Sequence, residues 1–302
     1  KLILKIIRED LLDLKERFGD NRKTRIVRDA GDFEEADLVD KKDVVVTITD
    51  KGYIKRLDLA AYKEQKRGGK GVIGSGLTEG DFVKELLTCS THDYLLFFTD
   101  KGKVHWLKAY EVTSSAKSAK GQAIVNLLAI KDEKVTNVLA VKKFEDLLMM
   151  ATGKGVVKKI ELSQFANPRK GGIKAIKVME TGDVLIGVKR LKEGEDVLLV
   201  TKKGKAIRFK SDDVRAMGRA AAGVAGIKLG KGDAVVSLEV LPKDSKFAVL
   251  TISKKGYGKR SEIEDYRLTG RAGKGVINMK VTDKTGQIVT SQIVLGGDNV
   301  II

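Results

Sequence analysis

The sequence holds one cysteine, Cys89, and two histidines, His92 and His105, among 302 residues. A single thiol excludes an intramolecular disulfide and fits a reducing cytosol, and Cys89 reads as a small buried side chain. Neither histidine stands at ligand spacing from cysteines or carboxylates, so neither reads as a metal ligand or catalytic base. Aromatic residues make up 5%, too sparse for the stacking platforms of single-strand binders, and Trp106 and the phenylalanines read as core filling. The longest apolar run, 147–151, is far short of the roughly 18 residues of a membrane span. Nothing at the N-terminus reads as a signal peptide, because charges interrupt the apolar residues from the start. No basic amphipathic helix offers itself to a membrane surface. Gly-x-x-x-x-Gly-Lys-Ser/Thr is absent, since Lys70 and Lys274 are each followed by glycine, so no nucleotide loop is expected. The acidic residues form no metal-binding cluster, and the six tyrosines lack the context of a DNA-cleaving domain. No catalytic residue, metal or cofactor is assigned. The first residue is Lys rather than Met, which reads as a piece of a longer chain.

What the sequence does have is positive charge, 58 Lys and Arg against 41 Asp and Glu, a net of +17. Residues 1–41 hold 10 basic and 11 acidic side chains, so the whole excess lies beyond them. Such a surface concentrates polyanions, and nucleic acid is the expected partner. Residues 1–18 read as an amphipathic helix, with Leu2, Ile3, Ile6, Ile7, Leu11, Leu14 and Phe18 on one stripe and Gly19 at its end. That stripe predicts a partner outside the chain. Residues 19–41 read as a linker with at most one strand, near Ile26 and Val27.

From residue 42 the chain repeats. A Thr/Val/Ile-rich run ends in a lysine–glycine turn at Gly52, Gly102, Gly155, Gly204 and Gly256, spaced 50, 53, 49 and 52 residues apart. Each copy predicts two strands joined by a hairpin in which glycine supplies φ > 0. Repeats of this length with about four strands predict a propeller-like disc whose stacked sheets cover one another's faces. The repeats fall near 42–93, 94–145, 146–194, 195–245 and 246–297, with a sixth opening at 298. About 15 residues after each turn glycine comes a small-residue loop carrying cations. These loops contain Lys66, Arg67 and Lys70; Lys117 and Lys120; Arg169 and Lys170; Arg219; and Arg271 and Lys274. Glycine admits phosphate close to backbone N–H groups while Lys and Arg neutralise it, so the loops suit a duplex backbone held without base reading. A propeller scaffold for acidic proteins is the reading of another class.

The heptapeptide Gln65-Lys66-Arg67-Gly68-Gly69-Lys70-Gly71 resembles the gyrase A box, the mark of the gyrase A C-terminal domain family of DNA gyrase. Lys66 stands where the family usually has Arg, which leaves a forked phosphate contact there open. The fifty-residue repeats, the Thr-Asp/Lys-Lys-Gly turns, the Met217-Gly218-Arg219 loop and the helix leading to Arg22-Lys23-Thr24-Arg25-Ile26 are similar to the same family. The resemblance implies an all-β, six-bladed β-pinwheel of four-stranded blades. It implies a rim that wraps double-stranded DNA, with all seven box residues needed for wrapping. It also implies service in a bacterial cytoplasmic holoenzyme of two gyrase A and two gyrase B polypeptides, where ATP and Mg2+ act elsewhere and the isolated domain is monomeric. Either the sixth blade is cut short or a strand near Ile26 helps close the disc. The corresponding domain of topoisomerase IV has similar blades without an intact box.

Overall fold

The computed structural model describes residues 2–21, 23–24, 38–59, 79–116, 118–128, 130–169, 171–178, 182–243, 247–296 and 298. The chain divides into Lys1–Val39 and Asp40–Ile302. The first unit holds a helix, Leu2–Phe18, closed by the Gly19 N–H on the Lys15 carbonyl at 2.9 Å. None of its side chains is buried. The expected strand near Ile26 and Val27 lies outside the described residues.

The second unit is a β-propeller with five blades among the described residues. In each blade two long strands form a hairpin and a third pairs with the first, all antiparallel. They are Asp43–Thr49, Tyr53–Asp58 and Val83–Ser90 in the first blade, and Tyr94–Thr99, Lys103–Lys108 and Val135–Val141 in the second. The third has Leu147–Thr152, Val156–Glu161 and Leu185–Leu191, and the fourth Asp196–Thr201, Lys205–Lys210 and Val235–Leu241. The fifth has Ala248–Ser253, Gly258–Glu262 and Ile288–Val294.

The hairpins follow from their sequence. Each turn glycine has φ between +74° and +85° and donates its N–H to the Thr or Ser three residues back. In the first four blades that threonine's hydroxyl accepts a second N–H, at 3.1–3.3 Å, from the residue opening the next strand. Thr-x-Lys-Gly is therefore one hydrogen-bonded unit.

The blades exchange strands. Gln122–Ala123 of the second repeat pairs with the second strand of the first blade, and Ile173–Lys174, Val224–Ala225 and Val276–Ile277 do the same for blades two to four. Each repeat thus supplies the outermost strand of the blade before it. The fifth blade has three strands among the described residues. The structure therefore shows five blades where six were expected, and of residues 298–302 only Asp298 is described.

Four apolar cores fill the four junctions between successive blades. In the second blade Leu95 and Phe97 face the first blade while Leu96 and Phe98 face the third, and all four are fully buried. Covering both faces makes a continuous apolar run the right composition for an inner strand. The fifth blade confirms the rule by departing from it. Val249 is buried against the fourth blade, whereas Leu250 and Ile252, on the other face, are half-exposed. The third strands of successive blades lie side by side around the axis, and those of all five line an axial cavity of about 340 Å3 containing the Lys189–Glu239 ion pair at 3.2 Å.

Candidate nucleic-acid interface

Because the third strand of each blade faces the axis, its second strand and the exchanged strand lie on the outer edge. The cationic loops are laid along that edge. Ser114, Ala216 and Leu268 bridge in parallel to Arg56, Lys159 and Arg208 in the second strand of the preceding blade. The N–H groups of Ser115, Met217 and Thr269 reach the carbonyls of the same three residues at 2.9–3.1 Å. Side chains strengthen the seam. Arg56 Nε donates to Val112 O, Trp106 Nε1 to Phe165 O, Lys159 Nζ to Ser211 O and Arg208 to Ile263 O, at 2.9–3.2 Å. One position of the second strand thus ties each of the first four blades to the 3₁₀ turn of the next repeat.

The position before it pins two of the loops from beneath. Lys158 is 0% exposed, and its Nζ donates to Ala175 O, Arg219 O and Ala221 O at 2.7, 2.8 and 3.1 Å. Three carbonyls satisfy the three ammonium protons, yet burial pulls its pKa down to about 8. Lys55, 1% exposed, donates to Ala119 O at 2.9 Å and Ala116 O at 3.4 Å, and burial lowers its pKa too. His105 fills the equivalent place under the third loop, where a Cβ on Gly172 would come within 2.6 Å of its ring. Burial lowers its pKa, and its Nε2 has no partner among the described residues. With the loop backbone held from below, loop side chains are left to face outward.

The structure places the expected site residues unevenly. Gln65, Lys66, Arg67, Gly68, Gly69, Lys70 and Gly71, together with Lys117 and Lys170, lie outside the described residues. Lys120 is exposed, with Nζ 3.9 Å above the Tyr53 ring. Arg169, Arg219 and Lys274 are exposed on the third, fourth and fifth loops. Arg271 is a partial correction. Its guanidinium donates to Asp213 O and Ala225 O, both at 3.1 Å, and so fastens the fifth loop to the fourth repeat. Those donors are not free for phosphate.

Cations not singled out from the sequence join the same edge. Arg215 and Arg267 are exposed at the start of the fourth and fifth loops. Lys177, Lys228 and Lys280 are exposed just beyond the exchanged strands, each between two inward apolar residues, as in Ile176-Lys177-Val178. That alternation was the available signal. Segments 112–121, 166–172, 214–223 and 266–275 contain no carboxylate. The acidic residues Glu111, Asp212, Asp213, Glu264 and Asp265 sit on the 3₁₀ turns just before them. Cys89 and Trp106 are core residues as expected, burial and Asp93 pushing the Cys89 thiol up to about 11.

Fold and edge together define the class: a strand-exchanging β-propeller that presents carboxylate-free cationic loops around its perimeter. The chain belongs to the DNA gyrase C-terminal domain family, described as a β-propeller, whose repeat matches residues 43–90, 93–142, 146–192, 195–242 and 248–294. The gyrase A polypeptide of Staphylococcus epidermidis DNA gyrase is 40% identical over 307 aligned positions, covering 100% of this chain and 34% of that protein. The chain thus spans about a third of the length of the relatives it matches. A solved gyrase A C-terminal domain superposes with a TM-score of 0.68 at 32% identity, over 84% of this chain and 83% of that one. The C-terminal domain of DNA topoisomerase IV gives 0.70 at 26% identity, over 85% and 79%.

Proposed function

We propose that this propeller binds duplex DNA along its outer edge without reading bases, bends it and wraps it. The observation that carries this reading is the set of carboxylate-free cationic loops laid on the outer strand of successive blades. Backbone neutralisation by Lys and Arg supplies sequence-independent affinity. Bending a 20–30 bp segment by 40–90° costs about 1–6 kcal/mol, so contacts on several blades must act together. Wrapping here serves ATP-dependent negative supercoiling by a cytoplasmic DNA gyrase, built with the gyrase A breakage-reunion domain and with gyrase B. In this reading ATP and Mg2+ act outside these residues, and the sequence has no Gly-x-x-x-x-Gly-Lys-Ser/Thr loop to hold a nucleotide phosphate. No helix among the described residues is long and apolar enough to cross a membrane.

The six-bladed form belongs to the same proposal. In blades one to four the carbonyl of the turn glycine accepts one or two N–H groups from the next repeat, while Gly256 has no such backbone partner among the described residues. Among the described residues Arg260 meets Glu262, at 3.8 Å, where its equivalents tie to a following turn. In the six-bladed form a sixth repeat covers that edge. The likeness to topoisomerase IV favours a second reading, a domain of that enzyme; Gln65 to Gly71 and the gyrase A relatives stand against it.

Ligating nicked circles in the presence of the protein tests wrapping. The expected result is a shifted linking number that is lost when Lys66, Arg67 and Lys70 are replaced by Ala. An unshifted linking number with the parent protein overturns the proposal.

A further inference from the structure

The first blade junction differs from the next three in one place. Beneath the turn glycine of blades two, three and four, the residues after the exchanged strand close over the glycine with alternate apolar side chains and seal the junction. A Cβ on Gly102 would lie 2.7 Å from Ile176 Cγ2 and 3.3 Å from Val178 Cγ2. On Gly155 it would lie 2.8 Å from Ile227 Cγ2 and 3.5 Å from Leu229 Cδ1, and on Gly204 3.1 Å from Val281 Cγ2. Each of these glycine carbonyls accepts two successive N–H groups, from Ala175 and Ile176, Gly226 and Ile227, and Asn278 and Met279.

Under Gly52 no atom of the described residues lies within 4 Å of the same point. Among the described residues only the Ile124 N–H reaches its carbonyl. The residues in register with Ile176 and Val178 are Val125 and Leu127, but Ile124–Leu127 coil into a helical turn closed by the Leu128 N–H on Ile124 O at 2.9 Å. Val125 is left 61% exposed. The space that its counterparts fill elsewhere is a cavity of about 560 Å3, with Ile48, Ile124, Ile130, Val138 and part of Val125 in its wall. Two further features set this repeat apart. Eleven residues separate its exchanged strand from its third strand, against nine or ten in the next three repeats. Asp132, three residues before the third strand, takes φ +54° where Gly182 and Gly232 hold +76° and +66°.

We infer that Ile124–Leu127 is a two-state strap, whose second state is extended and puts Val125 and Leu127 into the cavity beneath Gly52. The pattern of apolar residues already suits that state, because 125 and 127 fall on one side of an extended chain, as 176 and 178 do. The surplus residue gives the loop length for either state. Extending four helical residues lengthens their path by about 7 Å, from roughly 1.5 to 3.3 Å per residue. The strap begins directly after Gly121 and the exchanged strand, so its state is joined to the loop that carries Lys117 and Lys120. A pull on that loop and the filling of the junction become one event.

The chain carries its own reporter. Its single tryptophan, Trp106, lines a separate cavity of about 510 Å3 together with Leu127 and Leu128. Leu127 leaves that wall when the strap extends. Asn126→Pro drives Val125 out of the helical region, since the residue before proline disfavours it, while proline itself is tolerated in a first helical turn. Val125→Ile combined with Asp132→Gly installs the residues found at the other junctions and favours the same state without proline. Both variants are expected to shift Trp106 emission to longer wavelength and raise its acrylamide quenching, with Asn126→Ala matching the parent. If the folded variants, or the Ile/Gly variant alone should the proline variant not fold, keep the parent emission and quenching, the strap has no second state.

Discussion

At the scale of the residue, burial decides what a cation does. Lys158 and Arg219 are both basic and near one loop, yet Lys158 is spent on three backbone carbonyls while Arg219 faces solvent. Lowering the Lys158 pKa to about 8, from an ordinary 10.5, means that the unfolded chain holds that proton more tightly. Between about pH 8 and 10.5 Lys158 therefore makes the unfolded state bind more protons, and its contribution to stability should rise with pH across this window. The raised Cys89 thiol opposes that rise above about pH 9. Thermal melts of Lys158→Met are expected to show a smaller rise between pH 8 and 10, Lys55 supplying the remainder. At pH 7 the substitution should cost about 1–3 kcal/mol by leaving carbonyls unmatched in the junction. A Lys158→Met variant whose melting temperature changes with pH just as the parent's does would contradict this assignment. None of this was legible in the sequence, where a lysine in an alternating strand reads as a solvated one.

At the scale of the element, the hairpins and their glycines were readable because Thr-x-Lys-Gly fixes a turn locally. Strand exchange was not, since Gln122–Ala123 and its three equivalents are two residues long and carry no period of their own. The count of six blades came from the family resemblance, whereas the described residues hold five. Two glycines separate turn from exchange. Gly204 and Gly256 share nearly the same φ, +85° and +78°, but Met279 and Val281 close over Gly204 while no described residue closes over Gly256. Gly256→Ala should cost only the left-handed backbone strain, about 1 kcal/mol. Gly204→Ala should cost at least twice that, because the exchanged segment must also move. Equal losses in chemical denaturation would argue against a sealed junction at the fourth blade.

At the scale of the whole molecule, net charge announced a polyanion partner and the repeat announced its geometry. The sequence pointed to Arg169, Arg219 and Lys274 on the outer edge, and the structure exposes them there. It did not separate Arg271, whose contacts to Asp213 and Ala225 depend on a neighbouring repeat more than forty residues away in the chain. Nor did it isolate Lys177, Lys228 and Lys280, which need the exchanged strand to be placed. Replacing these three by Ala should weaken duplex binding alike on all sequences and flatten the slope of log affinity against log salt by about 2–3, roughly 0.9 per lost phosphate contact. An unchanged slope would remove them from the interface.

The central claim is that cations on successive blades engage one duplex and curve it. Its most direct test is the end-to-end distance of duplexes of increasing length, labelled at both ends for energy transfer and titrated with the protein at low salt. The account predicts that transfer rises on binding once the duplex is long enough to span several blades, and that Ala at Arg169, Arg215, Arg219 and Lys274 reduces the rise. Duplexes that bind yet stay straight at every length would contradict it.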